Sequence, residues 1–247
     1  MAILQAGVPK SGNYWLYKII ASVLHQAGRE PKSFIQHHQI QATAQTWRLS
    51  FDGQATMDFL TIADRYCSLR ISTLFQEKII DIDDYICQCS QVWTHSPVNS
   101  LASKILSKFD KVIYIIRDPR DVAISYSRFA FTEHKLNNSP SHYEPDPETY
   151  LENQLDQMSR YWVYHVGSYL KHQERLNIYP IFYEQLLHSF DSELIKLLKY
   201  LEIELNSSVM AQIKQEVSFT TMQRQSPNHL RQGTSRQWQI CPVSPPP

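Results

Sequence analysis

No stretch of this 247-residue chain approaches the roughly 20 consecutive apolar residues that a membrane-spanning helix requires. No membrane span is therefore expected. The N-terminus lacks a basic region followed by an apolar core and a cleavage site, so export is not expected and the reading is cytoplasmic. An excess of one charge is also missing, since Lys plus Arg and Asp plus Glu number 24 each. That balance argues against a nucleic-acid partner, and any anion site must come from local placement of charge. Cysteine is sparse. Cys67, Cys87, Cys89 and Cys241 do not take metal-ligand spacing. Cys87-Gln88-Cys89 is one residue too short for a C-x-x-C redox motif. The four read as reduced structural thiols of a cytosolic protein. Internal repeats and a G-x-S-x-G hydrolase elbow are absent, and histidine spacing offers no metal site. His37-His38 and His134 read as surface or loop residues.

What remains is a globular composition, 43% hydrophobic and 19% charged, at a length suited to one large domain or a domain with a lid. Ala2 to Ala6 reads as a buried strand. Leu16, Ile19, Ile20, Val23, Leu24 and Ala27 recur at helical spacing, Gly28 ends that helix and Pro31 prevents its return. Residues 29–90 are harder to divide, with helical patterns around 54–68 and 69–80. Gln91 to Thr94 looks like a short strand and Leu101 to Phe109 a short helix. Val112 to Ile116 is a continuous β-rich run, as in a strand buried on both faces. Asp118-Pro119-Arg120-Asp121 then reads as an N-cap, a proline at N1 and an acid at N3 of a helix running to about Phe131.

Residues 130–147 are the candidate lid, the polar, Pro-, Asn- and Ser-containing part being 134–147. A helix at about 148–172, a strand at Ile178 to Phe182, and helices at 191–202 and 206–217 follow. Pro180 suggests that its strand lies at an edge or carries a bulge. The alternation predicts an α/β three-layer sandwich with a mainly parallel sheet and a P-loop-like core. One domain is expected over 1–240, with a disordered Pro-rich tail at 241–247.

Gly7 to Trp15 is the most informative segment. A strand feeding a turn feeding a helix aims free N–H groups at one point, where the helix dipole is positive, and Lys10 adds a charge. Gly7 and Gly12 have the separation of a phosphate loop, G-x-x-x-x-G-K-S/T, but Asn13 and Tyr14 stand where Lys and Ser/Thr belong. The usual magnesium hydroxyl is missing, which points to a nucleotide held without a metal. An ordinary strand-to-helix turn with a surface lysine is the other reading.

Ligands of parallel sheets collect beyond the carboxyl ends of the strands. Lys10, Ser11 and Gly12, then His95, then Arg117, then Tyr183 and Glu184 each follow a predicted strand. Arg117 and Ser125 can meet one phosphate, or Arg117 can pair with Asp118 or Asp121. His95 sits where a general base is useful, although a lone histidine is more often a packed or surface residue.

These segments resemble the sulfotransferases that use 3′-phosphoadenosine 5′-phosphosulfate (PAPS). The family's P-K-S-G-T-T-W is similar to Pro9-Lys10-Ser11-Gly12-Asn13-Tyr14-Trp15. Its R-N/D-P-K/R-D-V-x-x-S-x-x-x-F is matched by Arg117 through Ser125 to Phe129. K-T-H-x-P appears as Trp93-Thr94-His95-Ser96-Pro97, and F-Y-E-D-L/M as Phe182 to Leu186. W-x-x-H-V appears at Trp162, His165 and Val166. Ser218, Phe219 and Met222 resemble S-F-x-x-M, and Arg231-Gln232-Gly233 resembles R-K-G. The segments keep the family's order across almost the whole chain.

The resemblance implies a transfer of the sulfuryl group from PAPS to a hydroxyl on a small molecule, leaving the bisphosphate PAP and requiring no metal. Lys10 would meet the leaving phosphate. Ser11, Gly12, Asn13 and Tyr14 would cradle the 5′-phosphate. Trp15 and Phe219 would sandwich the adenine, with Tyr183 and Met222 beside it. Arg117, Ser125, Arg231, Gln232 and Gly233 would hold the 3′-phosphate end, and His95 would take the acceptor's proton. Trp93 and Phe129 would line an acceptor pocket suited to an apolar or aromatic alcohol.

Three departures stand out. Trp93 replaces a lysine beside His95, and Gln232 replaces the lysine of R-K-G. The chain also stops before a C-terminal dimerisation motif, so a monomer or a non-standard dimer is expected. The rival readings are a P-loop kinase-like phosphotransferase and a catalytically weak PAPS- or PAP-binding interaction protein.

Overall fold

The structure is a computed structural model and describes residues 1–51, 53–138, 143–225 and 233–239. β1 (Ile3–Gly7) leads through a short loop into α1 (Asn13–Gln26). Two one-turn helices, α2 (Phe34–His37) and α3 (Gln41–Ala44), precede β2 (Phe59–Ile62), β3 (Cys67–Ile71) and β4 (Phe75–Lys78). α4 (Ile82–Cys87) precedes β5 (Gln91–Thr94), and α5 (Ser100–Leu106) precedes β6 (Lys111–Ile116). Next come α6 (Pro119–Ala130), α7 (Glu133–Asn138), α8 (Pro147–Lys171) and β7 (Ile178–Phe182). The remaining helices are α9 (Tyr183–His188), α10 (Phe190–Leu201), α11 (Ser207–Glu216) and α12 (Phe219–Gln225). Among the described residues no helix is long and apolar enough to cross a membrane.

One seven-stranded sheet runs in the order β4-β3-β2-β5-β1-β6-β7. Its five strands from β2 to β7 are parallel, and β3 and β4 extend one edge antiparallel. Side chains alternate between the faces. Ile113 and Ile115 of β6 join Leu16, Ile19, Ile20 and Leu197 of the helices on one side. Val112, Tyr114 and Ile116 join Ala102, Ile105, Val166 and Tyr169 on the other. Two cores around one sheet make the three layers that the alternating pattern predicts.

Gln5 and Gln91 are buried in this sheet, and each is satisfied. Gln91 donates to Gln5 Oε1 at 2.9 Å, and Gln5 donates to the Asn13 carbonyl at 3.0 Å. A glutamine within an apolar strand thus ties the sheet to the start of α1.

The helical expectation for 54–68 and 69–80 is overturned. These residues form β2, β3 and β4 after a single 3₁₀ turn at Gln54–Thr56. β5 offers an unpaired edge, and the hairpin completes its hydrogen bonds, which outweighs local propensity. Leu60 faces Leu69 across that hairpin, and along β2 Leu60 and Ile62 are buried while Phe59 and Thr61 are half-buried. Part of the expected lid is also helix, α7, whose first turn Thr132 caps by accepting from Lys135 N–H. Pro180 lies on β7, an edge strand, where a missing donor is tolerated. Cys67 and Cys89 are buried as expected of structural thiols, but Cys87 is exposed. Cys241, Arg231, Gln232 and the tail at 241–247 lie outside the described residues.

Candidate active site

The loop between β1 and α1 turns through two left-handed residues, Lys10 at φ 74° and Gly12 at φ 93°. Gly12 is the N-cap of α1 and supplies no side-chain acceptor to it. The N-terminal end of α1, where the helix dipole is positive, lines the cleft with Asn13, Tyr14 and Trp15. Asn13 closes the loop from inside, donating its amide to the Val8 carbonyl at 2.8 Å. Ser11 N–H donates to the same carbonyl at 3.1 Å. Ser11 Oγ and Asn13 Oδ1 are buried without partners among the described residues. Buried polar atoms cost free energy unless hydrogen-bonded, so Ser11 Oγ marks a place for an acceptor-rich ligand. Tyr14 packs its ring on Phe51, with centroids 4.7 Å apart.

Gly12 cannot be replaced cheaply. A Cβ there would lie 2.5 Å from Tyr183 Cδ2, on a backbone that L residues rarely adopt. Gly12→Ala is expected to cost about 1–3 kcal/mol in thermal or denaturant unfolding, and to weaken any anion held by the loop. An unchanged melting temperature would contradict this account.

β6 ends at Arg117, which is 6% exposed. Its guanidinium donates to the Lys10 carbonyl at 3.1 Å and to the Thr234 carbonyl at 2.9 Å, and lies 4.2 Å above the Tyr183 ring. Asp121 stands 4.0 Å away. Arg117 is near this acid and also lines the cleft, with Nε buried and without a partner among the described residues. Asp121 does more than charge the first turn of α6. It is fully buried and accepts from Arg236 N–H at 2.7 Å and Gln237 N–H at 2.8 Å. That carboxylate pins residues 233–239 against the site, a role that local capping rules do not reveal. Asp118 is the N-cap, accepting from Arg120 N–H at 2.9 Å.

β5 ends at His95. Its Nδ1 lies 2.6 Å from the Gly7 carbonyl. A carbonyl only accepts, so Nδ1 carries the proton and Nε2 keeps a lone pair. Burial pushes the imidazole pKa down to about 3, only partly opposed by the bond to Gly7. The ring is packed by Phe59 and Trp93 at centroid distances of 5.3 Å and 5.4 Å. Trp93 is itself buried and is stacked on Tyr17.

α8 fastens the ends of two strands. Trp162 Nε1 donates to the Arg117 carbonyl at 3.1 Å, and His165 Nε2 lies 3.0 Å from the His95 carbonyl. His165 Nδ1 meets the Tyr114 hydroxyl at 2.7 Å. The W-x-x-H spacing, three residues on one helix face, thus serves both Arg117 and His95 through their backbones.

One cavity of about 1100 Å³ gathers these groups. Lys10, Gly12, Asn13, Tyr14 and Trp15 line it from the loop and α1, and Trp93 and His95 from β5. Arg117, Ser125 and Phe129 reach it from β6 and α6, and Tyr183, Phe219, Met222 and Gly233 close one end. Lys10 Nζ lies 4.3 Å over the Phe129 ring. Gly233, at φ 60°, lies against the Phe219 ring with no room for a Cβ. Trp15 is packed by Tyr183 and Phe190. His134 is a cavity residue and not a surface one, 3.3 Å from Ser72 Oγ. His38 is also sheltered, 3.4 Å from Glu77. The chain as a whole is neutral, but among the described residues that line the cavity seven are Lys or Arg and one, Glu133, is acidic. The sequence reading missed Arg70 and Phe59, which sit in a region it divided as helices.

An anion-receiving loop at the carboxyl ends of parallel strands defines a class of α/β protein whose cleft takes phosphate-bearing ligands. The chain belongs to the sulfotransferase-domain family, which it matches over residues 2–239. It is 27% identical over 225 residues to sulfotransferase 1B1 of Canis lupus familiaris, covering 89% of this chain and 65% of that protein. It is 28% identical over 163 residues to sulfotransferase 1 family member D1 of Mus musculus, covering 60% of this chain and 54% of that protein. The matches thus span less than two thirds of these relatives. In fold it is similar to mouse sulfotransferase SULT7A1 complexed with PAP, with a TM-score of 0.63, 23% identity, and 97% of this chain and 77% of that chain covered. Retinol dehydratase in complex with androsterone and inactive cofactor PAP is similar at a TM-score of 0.56 and 15% identity, with 96% and 75% covered.

Proposed function

We propose that the protein moves the sulfuryl group of PAPS to the hydroxyl of a small molecule. The observation that carries this reading is the pairing of two features in one cavity. Arg117 Nε is a buried donor without a partner among the described residues, and His95 is held with its Nε2 lone pair available. The relatives' names and the PAP in the similar folds support the same donor.

The residues fit such a donor. The α1 N-terminus, Ser11 and Lys10 would take the 5′-phosphate, with Gly12, Asn13 and Tyr14 shaping the loop. Arg117 and Ser125 would take the 3′-phosphate, joined by Arg231 and Gln232 beside Gly233. Trp15, Tyr183, Phe219 and Met222 would hold the base. When bound, the donor supplies an electrophilic sulfur and a phosphate leaving group. His95 receives the acceptor's proton on Nε2, because Nδ1–H is committed to Gly7. Lys10 and the helix N-terminus stabilise the charge that grows on the leaving oxygen. They supply positive charge where phosphoryl-transfer enzymes use magnesium, so the reaction as proposed requires none. Trp93 and Phe129 wall the acceptor side.

The test is calorimetric. Adenosine 3′,5′-bisphosphate is expected to bind tightly with or without magnesium, and more tightly than ADP. Preference for ADP with magnesium would favour the kinase-like alternative. Bisphosphate binding without turnover of any hydroxyl acceptor would favour the interaction module. The single-domain reading over 1–240, the cytoplasmic location and the monomer or non-standard dimer remain part of this proposal.

A further inference from the structure

We propose that the acceptor is an apolar or aromatic hydroxyl compound carrying one anionic group, and that Arg70 receives that anion. This rests on the sulfotransfer reading of the cavity and narrows its substrate class.

Strand order separates the two ends of the cavity. Lys10 follows β1 and Arg117 follows β6, so the donor groups cluster around β1, β6 and β7. His95 follows β5. Beyond β5, on the side away from β1, come β2 and then β3. Arg70 belongs to β3 and lines the same cavity. Phe59 and Arg70 are the residues next to the Leu60–Leu69 pair on their two strands. The guanidinium lies 4.3 Å over the Phe59 ring, which also packs on the His95 ring at 5.3 Å and the Trp93 ring at 5.7 Å. Arg70 is thus one ring away from the proposed base, on the acceptor side.

Arg70 has an incomplete environment. Its Nε is buried and has no hydrogen-bond partner, and it makes no ion pair with any described residue. Burial lowers its pKa. Lys135 of α7 lines the same end, and its pKa is lowered first by burial and then by the like charge of Arg70. Among the described lining residues Glu133 is the one carboxylate, and Arg48 holds it at 2.8 Å. The buried Nε of Arg70, without a partner among the described residues, leaves a place that an anion completes, and a guanidinium is the fork that suits a carboxylate, sulfonate or phosphate. Phe51, Phe59, Trp93 and Met57 supply the apolar walls. They fit one ring or chain with a single charge, rather than a multiply charged polymer.

The experiment compares para-hydroxyphenylacetate with its neutral amide, para-hydroxyphenylacetamide, as acceptors in the presence of PAPS. Wild type is expected to favour the carboxylate by about 10-fold or more in kcat/KM, the scale of one charged hydrogen bond. In Arg70→Met that ratio is expected to fall to about one, and Arg70→Lys to retain an intermediate preference. A wild-type ratio at or below one overturns the proposal. So does an Arg70→Met protein that loses activity equally with both acceptors, because the guanidinium would then serve the transferred group or the sheet edge. If neither compound turns over, calorimetry on the PAP-saturated protein decides. Tighter carboxylate binding that needs Arg70 supports the proposal, and equal binding overturns it. If PAP itself does not bind, the sulfotransfer reading fails separately, and the same ligand pair on the free protein tests the anion site.

Discussion

His95→Ala is expected to lower kcat/KM by about 10²–10⁴-fold, the usual contribution of a positioned general base, while PAP binding stays close to wild type. The imidazole does not lie among the groups proposed to hold the nucleotide. It is oriented by the Gly7 carbonyl at 2.6 Å, which keeps the proton on Nδ1 and the lone pair on Nε2. Burial, the largest influence, pushes its pKa down to about 3, and the positive charges of Arg70 and Lys10 push the same way. The free protein therefore holds a neutral imidazole from neutral pH down to nearly pH 3. The acid limb of kcat/KM, which reports the free enzyme, is expected well below the ordinary histidine value near 6.5. A donor's negative charge stabilises the imidazolium, so the limb of kcat should lie higher than that of kcat/KM. Full activity in His95→Ala, or an acid limb of kcat/KM at 6.5, would rule out this role.

Arg117→Met is expected to weaken PAP binding by about 10²-fold or more, as loss of charge-assisted hydrogen bonds to a phosphate implies. The same change should lower stability by about 2–4 kcal/mol. Arg117 donates to the Lys10 and Thr234 carbonyls and so joins the phosphate loop to residues 233–239. Its removal also takes away the guanidinium that stands 4.0 Å from the buried Asp121. The penalty is held down because Asp121 keeps two backbone donors, at 2.7 Å and 2.8 Å. Arg117→Lys keeps the charge but not the fork, so it should recover only part of the binding. Calorimetry with PAP and unfolding without it separate the two effects. Undiminished PAP binding in Arg117→Met would remove Arg117 from the donor site.

The site was most legible where spacing is local. Pro9 to Trp15 declared a loop before a helix, and Asp118-Pro119 declared a helix start, because turn and cap chemistry is decided within a few residues. Trp162 and His165 were visible as a pattern, but their task was not. Each bonds a carbonyl at the end of a different strand, and those strands meet α8 only after the sheet has formed. Gln5 gave a faint signal, as a polar residue inside an apolar strand, but its partners Gln91 and Asn13 follow from β1 pairing with β5.

The sequence by itself determined the family, the α/β alternation, and the order in which Lys10, His95, Arg117 and Tyr183 leave their strands. Short-range chemistry and periodic burial are written directly in residue order. Tertiary structure decided the rest. Residues 54–80 became strands because β5 had an edge to complete, a nonlocal demand that helical spacing cannot register. The same pairing carried Arg70 onto the Phe59 ring that packs on His95, and the fold brought seven described cationic side chains of a neutral chain around one cavity. Charge density at a site depends on which residues become neighbours in space, and that is fixed only when the sheet closes its register.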